Sequence, residues 1–208
     1  MDPAYTITAF VTHFVVMDPI GLVPMFLVLT RGMDPARSQQ IARRALIVAA
    51  GLLTLFGLAG DSILHGIGIS LPAFRIAGGV LLFLTALDML FQRRTERREG
   101  TAGAQEDRAA DDPSVFPLAT PLIAGPGALA TMILLNAQGS GWGHFLLVEA
   151  VMLSVIAIVA ALFRVAAPIG RALGRTGIMV VTRLLGMLLA ALAIQFILDG
   201  LADTALFA

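Results

Sequence analysis

No cysteine and no lysine occur in this chain of 208 residues, and only 13% of its residues are charged. Without cysteine there is no disulfide framework, no thiolate metal site and no cysteine nucleophile. Without lysine there is no Gly-x-x-x-x-Gly-Lys phosphate loop, which excludes ATP-driven transport by this chain alone. The charged fraction is about half of the roughly 25% usual in soluble domains, whereas apolar residues make up 58% and the mean hydropathy is +0.88. An integral membrane protein follows. A positively charged leader is also missing from Met1-Asp2-Pro3. No small-residue cleavage site follows a short apolar core, so the first span is expected to be retained.

Present instead are six apolar runs, at roughly 4–29, 43–63, 72–91, 115–136, 144–164 and 182–201. Each is long enough for the about 20 helical residues that cross a hydrocarbon core. All 14 basic residues are arginines. Arg31, Arg37, Arg43 and Arg44 lie between runs 1 and 2, Arg93, Arg94, Arg97, Arg98 and Arg108 after run 3, and Arg164, Arg171, Arg175 and Arg183 between or at the edges of runs 5 and 6. The intervening loops carry none, and Arg75 alone breaks the alternation. By the positive-inside rule the arginine-bearing loops are cytoplasmic and both termini are external. Residues 92–113, dense in Arg, Glu, Asp and Ala, cannot bury enough surface to fold and read as a disordered cytoplasmic linker. It separates a first three-span unit, 1–91, from a second, 114–208.

Run 1 is interrupted by Asp18-Pro19-Ile20-Gly21-Leu22-Val23-Pro24 and run 4 by Gly125-Pro126-Gly127. Each proline removes a backbone donor and cannot continue the preceding turn, so both runs are expected to break into half-helices. Pro126 follows Pro19 by 107 residues, and Arg75-Ile-Ala-Gly78 recurs 108 residues later as Arg183-Leu-Leu-Gly186. Two landmarks agreeing within one residue indicate an internal repeat. A unit of three spans ends on the opposite face, so the second copy must be inverted about an axis in the membrane plane. The expected fold is all-α: a polytopic membrane protein of six transmembrane helices, arranged as two inverted three-span repeats with spans 1 and 4 broken.

Freed backbone groups at membrane depth persist only around a cavity or inside protein, so matched breaks in two halves point to a transport site. Asp18 before Pro19 reads as a helix cap followed by a favoured first helical residue. A cap alone leaves unexplained a carboxylate near the bilayer centre, which costs about 2.5–3.5 kcal/mol on the lowest scales; contact with a substrate, proton or cation is the second reading. At the other break Gly125 takes the place of Asp18, and the half-helix from Pro126 presents bare amides and a positive dipole end. A zwitterion suits this pair, its carboxylate against the amides near Gly127 and Ala128 and its ammonium toward Asp18. Pro19, Gly21, Thr120 and Pro126 complete the candidate substrate site. Gly125 and Gly127 would equally serve tight helix crossing, and Thr120 and Thr131 would equally bond back to their own helix.

Arg75 and Arg183 read as snorkelling ion-pair formers, with Asp61 and Asp88 as their partners. Gly78, Gly79 and Gly186 read as packing points. His13 and Gln195 are expected to be the deep polar residues outside the breaks, with His13 satisfied inside the bundle. Asn136, Glu149 and Asp199 are expected near the outer surface, in contact with solvent.

The stretch Asp18-Pro-Ile-Gly-Leu-Val-Pro-Met-Phe-Leu-Val-Leu-Thr30, with Thr120-Pro-Leu-Ile-Ala-Gly-Pro-Gly-Ala-Leu-Ala-Thr131 and the two Arg-x-x-Gly helix starts, resembles the MarC family of bacterial inner-membrane proteins, also classed as neutral amino-acid transporters. The resemblance covers nearly the whole chain apart from the linker. It implies a six-span inner-membrane protein and, for some members, transport of small neutral amino acids such as glycine and alanine. The expected function is secondary transport of small neutral solutes by rocking of the two halves about a central site. A passive channel would also suit paired broken helices. An intramembrane hydrolase is less suited: neither Gly-x-Ser-x-Gly nor His-Glu-x-x-His occurs, and His13, His65 and His144 show no metal-ligand spacing. No enzymatic activity, cofactor, metal or nucleic-acid partner is expected. The expected partners are the lipid bilayer and a small neutral amino acid or similar solute, with a coupling proton or sodium ion and a homo-oligomer as open additions.

Overall fold

The computed structural model describes residues 3–91 and 112–204; the expected linker falls outside them except at its last two positions. Regular structure among the described residues is helical: α1 (Pro3–Met17), α2 (Pro19–Leu29), α3 (Pro35–Gly66), α4 (Leu71–Leu90), α5 (Ser114–Ile123), α6 (Pro126–Asn136), α7 (Trp142–Arg164) and α8 (Ala166–Ala202). α1 and α2 together form one candidate span of 27 residues, and α3, α4, α7 and α8 are each long and apolar enough to cross a membrane. α5 and α6, bent by 55° at their junction, make a sixth span if counted as one.

Helix starts are written locally. Asp34 accepts a hydrogen bond from Arg37 N ahead of Pro35, and Ser70 accepts one from Ala73 N ahead of Leu71-Pro72. In both cases a side-chain oxygen satisfies an amide that the first turn leaves free, and the proline forfeits no bond there. α3 thereby begins well before the apolar run that starts near residue 43. α8 likewise begins at Ala166 rather than near residue 182, and it kinks at Gly174 (φ 57°, ψ 179°), a left-handed conformation that glycine adopts without strain. Apolar runs measure the membrane crossing, but helices continue through arginine-bearing segments, because arginine is a good helix former.

The proline-interrupted segments lie inside. Of the apolar window of α1–α2, 67% is buried within the protein, against 28% for α3 and 22% for α8. α6 is enclosed in the same way, with Gly127, Ala128 and Ala130 to Leu135 buried. Around this centre α3 packs on α5 and α6, α7 on α1 and α2, α2 on α8 and α6 on α4. Lipid tails are as apolar as leucine, so association within the bilayer rests on close packing and polar contacts rather than on apolar burial. α4 and α8 supply the closest packing. A Cβ on Gly79 would lie 2.8 Å from Ala193 O, one on Gly186 would lie 2.9 Å from Met89 Cβ, and one on Gly200 would lie 3.1 Å from Pro72 O. The start of α4 thus meets the end of α8, an antiparallel pairing. Between α2 and α7, the rings of Phe26 and Phe163 stack at 4.3 Å between centroids.

The ends are tied by polar contacts. Tyr5 donates to Leu135 O at 2.8 Å and His144 Nε2 to the same carbonyl at 2.9 Å, which fastens the starts of α1 and α7 to the end of α6. At the arginine-bearing end, Arg44 pairs with Asp112 ahead of α5. Partial burial pushes the Asp112 carboxyl up, but hydrogen bonds from Ser114 and the Arg44 charge outweigh it and hold the group below its ordinary range.

Candidate functional site

Asp18 is the single residue between α1 and α2, and it is 1% exposed. Its backbone is left-handed (φ 52°, ψ 63°), a region that aspartate and asparagine enter more readily than other residues with a side chain. Hydrogen bonding continues across it, from Asp18 N to Phe14 O at 3.0 Å and from Leu22 N to Asp18 O at 3.1 Å. The interruption is therefore one residue wide, and α1 and α2 are joined more closely than two free half-helices would be. Pro19 has no donor to lose at a first helical position, which is why the break stays local. The carboxylate folds back to accept from Gly21 N at 3.0 Å. That fold-back needs a glycine, since a Cβ at Gly21 would lie 2.0 Å from Asp18 Oδ2.

The second interruption is wider. In α5, Leu118 N bonds to Pro113 O and Ala124 N to Ala119 O, each five residues back, the wide turn of a π-helix. Phe116 (φ −127°, ψ 126°) and Thr120 (φ −130°, ψ 123°) are extended, as residues before proline tend to be, and each joins its proline through a cis peptide bond. α6 then starts at Pro126 behind an extended Gly125 that offers no capping side chain. The first amides of a helix have no partner within it, so those of Gly127 and Ala128 face the junction uncapped by any side chain. A Cβ on Gly127 would lie 3.4 Å from Val16, 3.4 Å from Leu82 and 3.7 Å from Thr85 Oγ1. Val16 stands just before Met17 and Asp18 in the chain, so the end of α1 packs against the start of α6.

Of the residues expected at the site, Asp18, Pro19, Gly127 and Ala128 are buried, Gly21, Thr120 and Gly125 are half-buried, and Pro126 is exposed. Thr131 bonds back to Gly127 O at 2.8 Å. Gly125 has a packing role of its own, because a Cβ there would lie 2.7 Å from Pro121 O. His13 is fully buried, with Nδ1 3.2 Å from Ala9 O and Nε2 3.0 Å from the Met132 sulfur.

The ion pairing differs from expectation. Arg75 pairs with Asp203 just beyond α8, not with Asp61; the antiparallel packing of α4 and α8 brings those two ends together. Asp61 is exposed and lies 3.6 Å from His65 on its own helix. Arg183 is exposed on α8, and Asp88 is half-buried near the end of α4. Glu149 is less open than expected. It is half-buried and accepts a hydrogen bond from Thr54 of α3, and its other carboxylate oxygen is buried without a partner among the described residues. Asn136 donates to Met132 O at 2.9 Å, and its own oxygen is likewise buried and unpartnered. One turn beyond the Thr54–Glu149 pair, toward the end of α3, lies a cavity of about 490 Å³ whose lining includes Gly57, Asp61, Asn136, Trp142, His144 and Phe145. A signal for Glu149 was available in the sequence: it lies two turns into α7, about 10 Å along the helix at 1.5 Å per residue, too deep for a surface carboxylate.

Inner helices interrupted at proline, a buried carboxylate at one break and uncapped amides at the other, and longer helices packed around them define a polytopic α-helical integral membrane protein. The chain belongs to the MarC family, since the sequence model of the MarC family integral membrane protein matches residues 4–205. It is 38% identical over 205 residues to a UPF0056 membrane protein of Methanocaldococcus jannaschii, covering 97% of this chain and 98% of that one. Identity is 37% over 199 residues to UPF0056 membrane protein YvbG of Bacillus subtilis, covering 95% of this chain and 94% of the relative. The UPF0056 inner membrane protein YhgN of Escherichia coli is 34% identical over 201 residues, covering 94% of this chain and 95% of the relative. No solved structure matches the chain. The family read from the two interrupted runs is thereby borne out.

Proposed function

We propose that this chain is a secondary transporter of small neutral solutes in the bacterial inner membrane, with neutral amino acids such as glycine and alanine foremost and a central site opened alternately to either face. The observation that carries the reading is the packing of the two breaks against each other. Asp18 brings a buried carboxyl group to one, and the uncapped start of α6 at Gly127 brings a positive dipole end to the other, against Val16. An amino-acid zwitterion presents an ammonium to the first and a carboxylate to the second. A role for Asp18 beyond capping accords with the general cost of intramembrane charge.

An inverted repeat is part of the proposal, and reciprocal packing supports it. α3 on α5 and α6 answers α7 on α1 and α2, and α2 on α8 answers α6 on α4. Gly79 against Ala193 answers Gly186 against Ala86. In this reading spans 1 and 4 are the broken pair, the arginine-bearing loops face the cytoplasm and both termini face outward. Reporter fusions at Ala208 and Gly103 are expected to read external and cytoplasmic, and an active cytoplasmic reporter at Ala208 would remove the six-span repeat.

Function is tested with the purified chain in proteoliposomes. Uptake of labelled glycine and alanine is expected to saturate and to accelerate under an imposed proton or sodium gradient. Flux that neither saturates nor responds to a gradient would replace the carrier with a channel. No uptake of either amino acid by correctly inserted protein would overturn the substrate class.

A further inference from the structure

Gln195 lies on the lipid-facing side of α8. Counting from Arg183 it is about 18 Å along the helix, well inside a hydrocarbon core of about 30 Å. Its Nε2 donates to Asp199 at 2.7 Å on the exposed surface, which accounts for one N–H of the amide and leaves the other N–H and the oxygen on that surface. Polar groups facing lipid without partners are costly.

The surroundings of Gln195 are patterned. Leu184, Leu188, Ala191, Gln195, Leu198 and Ala202 are all exposed and follow one another at spacings of 4, 3, 4, 3 and 4 residues. That is the seam of a left-handed helix pair. Ala191 and Ala202 are small enough for backbones to approach closely. A single polar residue at one seam position fixes register and partner number.

We propose that this face of α8 is the contact surface of a homodimer in the membrane, two copies related by a two-fold axis along the membrane normal, with their Gln195 amides hydrogen-bonded to each other. A second copy is the occupant that the chemistry selects. A carboxamide is donor and acceptor at once, so two identical amides across a two-fold satisfy one another, whereas lipid tails satisfy neither group. Copies inserted in the same orientation bring their α8 helices together in parallel, the arrangement in which a heptad seam closes.

The absence of cysteine allows a direct test, independent of any transport assay. Single variants Ala191→Cys and Leu198→Cys are expected to form intermolecular disulfides on oxidation in native membranes. Val80→Cys, on α4 and 46% exposed to lipid, is expected not to. Adding Gln195→Leu to Ala191→Cys should weaken dimerisation about three- to twentyfold, the range of interhelical polar contacts in membranes, while Gln195→Asn should retain most of it. An apolar side chain facing lipid does not threaten insertion. Cross-linking at Ala191 no stronger than at Val80, or unaffected by Gln195→Leu, would overturn the proposal, as would a cross-linked product containing a different protein.

Discussion

Thr54 on α3 donates its hydroxyl to the Glu149 carboxylate on α7, which joins the two long helices that flank the central junction. Because the second carboxylate oxygen has no partner among the described residues, the pair depends on that one bond. Thr54→Val leaves the carboxylate without its donor and is expected to destabilise the protein by about 1–3 kcal/mol. Combining it with Glu149→Leu exchanges both polar partners for apolar ones and should restore or exceed the native stability. Thermal unfolding of the two singles and the double gives the coupling directly, and an unchanged Thr54→Val would mean that water satisfies Glu149.

At Asp18, asparagine separates the cap from the charge. It caps about as well and tolerates the left-handed backbone, so Asp18→Asn should keep stability to within about 1 kcal/mol. Transport should fall severely. Asp18→Leu loses the cap and strains the backbone by about a further 1–2 kcal/mol, so flux and melting temperature should fall together. Full flux in Asp18→Asn would leave Asp18 as a cap and move the search for a counter-charge to Glu149 and Arg75.

Gly21→Ala tests the position of the carboxylate while leaving its charge in place. The added methyl group would occupy the carboxylate's place, 2.0 Å from Oδ2, and so expel the group from its cap. Alanine favours helix over glycine by about 1 kcal/mol, which offsets most of the lost cap. The expected result is a nearly native melting temperature with flux as low as in Asp18→Asn; native flux would show that the carboxylate need not sit there.

Gly127 offers a graded test. An alanine fits, since its Cβ would make ordinary contacts of 3.4 Å with Val16 and Leu82, whereas leucine overpacks by about 1–3 kcal/mol. Gly127→Ala should therefore keep stability and reduce uptake of alanine more than that of glycine. Gly127→Leu should abolish uptake of both at a modest loss of stability, and equal uptake of the two amino acids by Gly127→Ala would count against a site at the start of α6.

The spans and both interruptions were legible in the sequence because each is written in consecutive residues: apolar length, Asp-Pro or Gly-Pro, and a cap ahead of a proline. The early starts of α3 and α8 were not, because hydropathy follows the lipid and helix propensity does not. The π-type turns of α5 were also hidden. Prolines announce a break in an α-helix, but which wider turn replaces it is settled by packing. Pairings across the fold were least visible. Arg75 meets Asp203, and Thr54 meets Glu149, because α4 lies against α8 and α3 against α7; neither partner is local. Of the candidate site, the two breaks were readable, but the one-residue width of the first was not, since it depends on Asp18 accepting a left-handed backbone.

Where α4 crosses α8, backbone touches backbone. Sliding either helix along the other would drive Met89 over Gly186 and Ile197 over Gly79, where even a methyl group on the glycine would already come within 3 Å of its neighbour. The two helices are therefore interlocked against sliding. α4 comes from the first half of the chain and α8 from the second, so the mechanical parts of this protein are not its sequence halves. In the proposed transport cycle, opening of the central junction to one face or the other is assigned to α1–α2 and α5–α6, tilting against an α4–α8 keel; a tether that locks α4 to α8 is then expected to leave transport intact, and one that locks α2 to α8 to arrest it.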